Sequence, residues 1–284
     1  MATVQIVSTP IGNLGDLSPR GAAALSSADR ILAEDTRRTG ILLRHIGAKV
    51  PMVSLHAHNE ARRVSQVLEW LADGERLVLV SDAGTPLVSD PGGRLVRALI
   101  DGGHEVVPVP GPSAVLVALV GAGLPGDRFT FLGFVPRKGR ARASTLKRIA
   151  GSEETTISFE SPDRLVTLLG ALVDACGPDR PACVARELTK MYETFQRGTL
   201  TELLAYYQGE EPRGEITLVV SPAPEASEAG LDDAARAEAA RLLAEGAPPS
   251  RVAREVARVT GLARNRAYAL VQSIQAHDDG EPNE

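Results

Sequence analysis

Three short turns rich in glycine and proline constrain this chain most, because each stands where an apolar, β-branched run gives way to a helical pattern. They are Thr9-Pro10-Ile11-Gly12-Asn13, Asp82-Ala83-Gly84-Thr85-Pro86 and Pro110-Gly111-Pro112-Ser113-Ala114. The runs before them are Thr3 to Ser8, Leu77 to Val80 and Glu105 to Val109. Leu77 to Val80 is apolar throughout, as a strand buried on both faces should be. Arg30 to Ala33 reads as a further strand and Thr36 to Ile46 as a helix. Ser18-Pro19 has the cap and first-turn residues of a helix start. Val64, Val67, Leu68 and Leu71, then Leu95, Val96, Leu99 and Ile100, repeat at helical spacing. Strand and helix alternate, which predicts an α/β fold with a mostly parallel sheet. In such a sheet every strand ends on one edge, where helix N-termini and bare amides meet ligands. One such turn is only a connection. Three on one edge, without a GxGxxG or Walker sequence, favour a nucleotide-like ligand not held by its phosphates.

The pattern changes at the Gly/Pro-rich stretch Gly121 to Asp127, placed here as a domain boundary. Beyond it, strands are expected at Thr130–Phe134, Thr155–Phe159, Ala182–Arg186 and Ile216–Val220, with helices at Ser161–Val173 and Leu200–Tyr207. The chain of 284 residues thus divides into an N-terminal α/β domain (1–122) and a second, mixed α/β domain (123–221). A Pro/Ala/Ser/Glu linker (222–230) and a small helical appendix (231–276) follow. No run approaches about 18 apolar residues, so no membrane span is expected. The start reads as a strand entering a turn rather than as a secretory leader. Two cysteines, Cys176 and Cys183, suit a reducing compartment, and no Cys/His group has metal-ligand spacing.

The formal charge is −5, which argues against a generic nucleic-acid binder and leaves any such role to local patches. Arg137-Lys138-Gly139-Arg140-Ala141-Arg142 is the densest, with no acid between Arg128 and Gly151. It could be a solvated loop leading into an amphipathic helix, but phosphate contact is the better reading. In Glu34-Asp35-Thr36-Arg37-Arg38-Thr39, a helix cap accounts for the acids. It leaves Arg37 and Arg38 unexplained, because cations are disfavoured in a first turn; an anionic ligand would explain them. His56 and His58 lack a third metal ligand, so hydrogen-bonding or solvent-facing roles are favoured. Ion pairing accounts for Arg186-Glu187-Leu188-Thr189-Lys190. The appendix has helix-turn-helix patterning and is compatible with RNA contact or with a docked hairpin.

With these residues in hand, the chain resembles the ribosomal RNA small subunit methyltransferase I family of the tetrapyrrole methylases. The blocks that carry the resemblance are STPIGNLGDLSPR, ILAEDTRRTGILL, LHAHNE, LVSDAGTPLVSDPG, VVPVPGPSAV, DRFTFLGFVPRKG and ARELTKMYET. The resemblance implies a two-domain tetrapyrrole-methylase fold with S-adenosyl-L-methionine in a cleft. It assigns cofactor contacts to Pro10, Ala83, Gly84, Thr85, Val88, Ser113, Ala114, Glu160 and Leu188. It further implies a cytoplasmic homodimer acting on 16S ribosomal RNA in the small subunit, at the ribose 2′-hydroxyl of a decoding-region cytidine. Relatives acting on tetrapyrroles carry Gly-Asp-Pro where this chain has Gly84-Thr85-Pro86.

A ribose hydroxyl is a weak nucleophile, so a base that takes its proton should contribute roughly 10²–10⁴-fold. Asp35, Glu187 and Lys190 are candidates, Lys190 only if burial lowers its pKa. Glu187 and Lys190 are favoured because the matching region borders the cofactor. Arg37, Arg38, Arg137, Lys138, Arg140 and Arg142 would hold RNA phosphates. Two rival readings are a small-molecule methyltransferase with a closed apolar cleft and a non-catalytic assembly factor with eroded turns.

Overall fold

The computed structural model describes residues 3–224 and 228–278. The expected alternation is present as β1 (Thr3–Val7), α1 (Pro19–Ser27), β2 (Arg30–Ala33), α2 (Thr36–His45), β3 (Met52–Ser54), α3 (Glu60–Ala72), β4 (Leu77–Val80), α4 (Gly93–Asp101), β5 (Glu105–Val109) and α5 (Ala114–Ala122). Ser18 accepts from the Gly21 N–H and Pro19 sits in the first turn of α1, so that helix starts where the sequence placed it. Asp35 caps α2 in the same way. By contrast the cap position of α4 is Gly92, which is left-handed and offers no side chain. The buried Glu60 carboxylate does the capping instead, accepting from the N–H groups of Arg94 (2.7 Å) and Leu95 (3.0 Å). Asn59 beside it accepts from the His56 N–H and donates to the Ser54 carbonyl. Leu55-His56-Ala57-His58-Asn59-Glu60 is therefore largely a folding device.

The first sheet runs β3-β2-β4-β1-β5 and is parallel throughout. This order makes β4, β1 and β5 neighbours, so the three Gly/Pro turns that follow them lie side by side. β4 is buried along its whole length, in keeping with its apolar sequence.

The chain continues through β6 (Phe129–Phe134), α6 (Gly139–Ala150), β7 (Thr155–Glu160), α7 (Pro162–Cys176), β8 (Pro181–Arg186), β9 (Thr194–Thr199), α8 (Leu200–Gly209) and β10 (Ile216–Val220). The second sheet runs β6-β7-β10-β8-β9, with β6 and β7 parallel and the other pairs antiparallel. A second, mixed α/β domain was expected, but two strands of the fold were not. β3 has only three residues, and β9 is a polar edge strand, TFQRGT, that buries too little to show an apolar period. The basic stretch also proves partly helical, since α6 begins at Gly139 and carries Arg140 and Arg142.

Helix α5 packs one face on the second sheet: Val115, Ala118, Leu119 and Ala122 share one core cluster with Ile157, Cys183, Ala185 and Val219. A Cβ at Gly121 would collide with the Phe195 ring, so this glycine, which opens the expected boundary, permits close packing. The two sheets belong to one compact unit, Met1–Ala223. Cys183 lies in the buried face of β8, where burial pushes its thiol up to about 11.

The second unit spans Pro224–Glu284. It holds α9 (Glu228–Ala244), α10 (Pro249–Thr260) and α11 (Arg264–Asp278), packed through Ala235, Ala239, Val252, Val256, Ala267 and Val271. Within the linker expected over 222–230, residues 225–227 lie outside the described residues. No helix among the described residues is long and apolar enough to cross a membrane.

Candidate active site

A cavity of about 400 Å³ lies at the carboxyl edge of the first sheet, within the size range of small-molecule sites. Eight of the nine residues expected at the cofactor line it: Ala83, Gly84, Thr85, Val88, Ser113, Ala114, Glu160 and Leu188. Ile11, Val115, Phe134 and Phe159 add apolar wall. Pro10 does not line this cavity. It borders a smaller hollow with Thr9, Leu14, Arg38, Ser81 and Asp82. Thr9 pairs with Gly84, and of the residues that follow it Ile11, not Pro10, lines the cavity.

Two loops of unusual backbone shape the walls. Val88 lies between Leu87 (φ 73°) and Ser89 (φ 71°), and Leu188 lies between Glu187 (φ 51°) and Thr189 (φ 64°). Among the described residues these are the only non-glycine positions with positive φ. Each costs on the order of 1–3 kcal/mol, and such strain persists where the surroundings over-determine it. For the second loop those surroundings are visible. The Thr189 N–H donates to Glu193 (2.6 Å), the Asn13 N–H donates to the Thr189 hydroxyl (3.1 Å), and Gly12 leaves room for the Lys190 chain. Glu187 accepts from the Glu215 N–H (2.9 Å) and from Lys190 Nζ (2.8 Å), while Lys190 Nζ lies 3.2 Å from Glu215 Oε2.

This arrangement bears on the two residues expected to carry the chemistry. Neither Lys190 nor Glu187 lines the cavity, whereas Glu215, which they hold, does. Burial pulls the Lys190 ammonium down, but the Glu187 and Glu215 carboxylates outweigh it and the net shift is upward. The condition for Lys190 to act as a base, a lowered pKa, is not met. The Lys190 hydrogen bond holds Glu187 below the usual carboxylate range. Asp35, the third candidate, is held at about 2 by Arg37, and its carboxylate is taken up by that guanidinium and the α2 cap.

Glu160 is buried at the end of β7. Its Oε1 accepts from the Ser161 N–H (2.8 Å), and its Oε2 lies 3.1 Å from the Arg164 guanidinium without a well-aligned donor. Asp90, which the sequence reading did not single out, also lines the cavity; burial raises its carboxyl to about 6. Phe134 was missed as well. A register shift between Phe131 and Phe134 ends β6 irregularly, and Phe134 stands exposed at the cavity wall, edge-on to Phe159 at 5.6 Å between ring centres. Both lie inside recognisable blocks, but a lone acid or aromatic in a loop carries no periodic signal.

The expected phosphate-binding residues fall in two places. Arg37 pairs with Asp35 (2.6 Å) and Arg38 with Asp82 (3.6 Å), so internal acids account for cations in the first turn of α2. Arg137, Lys138 and Arg140 are exposed at the start of α6 and form no ion pair among the described residues. Arg142 is half-buried and lies 3.4–3.5 Å from the carbonyls of Pro136 and Thr167.

Comparison with known proteins accords with this geometry. Residues 3–204 match the family Tetrapyrrole (Corrin/Porphyrin) Methylases. Ribosomal RNA small subunit methyltransferase I of Synechocystis is 43% identical over 277 residues, covering 97% of this chain and 99% of that protein. The protein of the same name from Xylella fastidiosa is 46% identical over 268 residues, 94% of this chain and 97% of the other. Among solved structures, diphthine synthase superposes with a TM-score of 0.62 at 17% identity, covering 78% of this chain and 90% of that one. Uroporphyrin-III C-methyl transferase from Thermus thermophilus, complexed with S-adenyl homocysteine, gives 0.55 at 19% identity, covering 77% and 97%. At these identities the structures establish the fold alone. Methyltransferases of this family use S-adenosylmethionine. By its matched residues and its near full-length relatives, the chain belongs to the tetrapyrrole methylase family and, within it, to the ribosomal RNA small subunit methyltransferase I group.

Proposed function

We propose that this protein transfers a methyl group from S-adenosyl-L-methionine to the ribose 2′-hydroxyl of a cytidine in the decoding region of 16S ribosomal RNA, acting in the cytoplasm as a homodimer on the RNA of the small subunit. The observation that carries this reading is the gathering of eight sequence-assigned residues around one cavity. The cavity suits the cofactor. Ile11, Val115 and Leu188 offer apolar wall to a nucleoside, and the aromatic rings of Phe134 and Phe159 suit a sulfonium. Buried Glu160 keeps an acceptor oxygen without an aligned donor. Ala83, Gly84, Thr85, Ser113 and Ala114 would hold the cofactor along the turns, with Val88, Leu188 and Glu160 opposite.

When bound, S-adenosylmethionine supplies an electrophilic methyl group on its sulfonium. The protein's own contribution is mainly alignment, because reacting atoms held about 3 Å apart react far faster than free ones. Lys190 and Glu187 serve this by fixing Glu215 at the cavity edge. Arg137, Lys138, Arg140 and Arg142 hold RNA phosphates, with Arg37 and Arg38 as a second group. The rival small-molecule reading has no use for the exposed basic start of α6. The non-catalytic reading expects eroded turns, whereas the Gly84 turn keeps its left-handed glycine. Exposed Leu116 and Val120 on α5 offer an apolar face to a second copy. Deleting the gene and mapping ribose methylation across the small-subunit RNA tests the proposal. Loss of one cytidine 2′-O-methyl group is the expected result, and an unchanged map would overturn it.

A further inference from the structure

Three carboxylates line the cavity: Asp90, Glu160 and Glu215. Glu160 is paired with Arg164, and Glu215 with Lys190. Asp90 alone of the three has no ion-pair partner among the described residues. The turn that carries it is tightly determined. Ser89 before it is left-handed, Pro91 after it has a fixed φ, and Gly92 is left-handed with its hydrogen facing the Leu87 side chain; a Cβ there would stand 2.8 Å from Leu87 Cδ2. A base must keep free lone pairs, face the reacting atoms and be held still. Among the cavity-lining acids, Asp90 is the one that combines a constrained turn with a carboxylate on which no cation of the described residues sits.

We propose that Asp90 accepts the proton of the hydroxyl nucleophile. This rests on the ribose-methylation reading above. The hydroxyl oxygen forms its new bond to the methyl carbon as the carbon–sulfur bond breaks, and that electron pair stays on sulfur. The hydroxyl proton passes to an Asp90 carboxylate oxygen and from there to solvent.

The surroundings fit the role. Burial raises the carboxyl to about 6, the Ser81 hydroxyl opposes this, and the nearby carboxylates of Glu34 and Asp82 add to it. Asp82 is itself faced by Arg38 at 3.6 Å. Glu160 and Glu215, each with its cation, line other parts of the cavity. A carboxylate titrating near 6 is largely ionised at neutral pH and takes up a proton more readily than an ordinary aspartate.

The test is Asp90→Asn, with tritiated S-adenosylmethionine and small subunits from a strain lacking the enzyme. Single-turnover transfer should fall by roughly 10²–10⁴-fold, with cofactor affinity by calorimetry within about threefold of wild type. Asp90→Glu should recover part of the rate. The wild-type rate should fall about tenfold per pH unit below about 6, and this limb should vanish in the Asn variant. Urea unfolding gives a readout independent of activity. The folded carboxyl has the higher pKa, so its proton-linked stability is present at low pH and lost as pH rises through about 6. The Asn variant should therefore have the higher urea midpoint at pH 8 and match wild type at pH 3. An Asn variant that keeps its rate, or that loses cofactor affinity in step with rate, overturns the assignment. If that variant fails to fold, a flat wild-type pH profile does the same. If wild type places no tritium on ribose, the ribose reading itself fails and takes this assignment with it.

Discussion

Thr9 and Gly84 exchange two main-chain hydrogen bonds, of 2.9 and 3.0 Å, and so tie the turn after β1 to the turn after β4. The pair is an isolated antiparallel bridge outside the strands of this parallel sheet. On the β1 side of this pair Ile11 lines the cavity and Pro10 does not.

The first prediction follows from Gly84, whose φ is 75° and where a Cβ would stand 3.2 Å from Ile11 Cγ2. An L-residue in this conformation costs roughly 1–2 kcal/mol, and a β-branched one more. Gly84→Val should lower S-adenosylmethionine affinity at least about tenfold by calorimetry, since both the turn and the wall it makes are displaced. Gly84→Ala should fall between the two and remain folded. Wild-type affinity in the alanine variant, with the valine variant folded and equally tight, would remove this turn from the binding site.

A second prediction concerns Lys190 and Glu187, joined at 2.8 Å behind the cavity edge. If they brace Glu215, Lys190→Ala and Glu187→Gln should loosen that edge, raise the cofactor KM and slow single-turnover transfer by less than about tenfold. A loss of roughly 10²-fold or more at unchanged cofactor affinity would return them to the transition state.

How far the sequence could be read depended on the kind of signal each residue carries. The first sheet was legible because Leu77 to Val80 is apolar without a break, as a doubly buried strand is, and Val64 to Leu71 repeats at helical spacing. β9 was not, because an edge strand exposes one side and needs no apolar period. Arg37 and Arg38 suggested a ligand because their acids, Asp35 and Asp82, come partly from another turn that a linear reading cannot place beside them. The same holds for Glu60, whose capping of α4 joins residues 34 and 35 positions apart. The cofactor turns were found by residue type and by resemblance. Pro10 shows the limit of that route, since residue type does not say which face of a turn meets the cavity. Asp90 was hidden because its distinction is the cation it lacks, which only the fold reveals.

The last prediction tests the surface that would hold RNA. Arg137, Lys138 and Arg140 are exposed and unpaired with acids, and Arg142 is partly engaged by main-chain carbonyls. Each single-stranded phosphate contact should contribute about 0.7 to the slope of log affinity against log salt. Replacing all four by glutamine should flatten that slope by roughly 2 units, with Arg142 contributing least. S-adenosylmethionine affinity should hardly move, because none of the four lines the cavity. The measurement is binding of small-subunit RNA by wild type and quadruple variant over a salt series. A small-molecule methyltransferase would show no specific RNA affinity to lose. Parallel lines for the two proteins would remove the start of α6 as a phosphate clamp. Arg37 and Arg38, and the arginines of α10 and α11, would then be the next groups to replace.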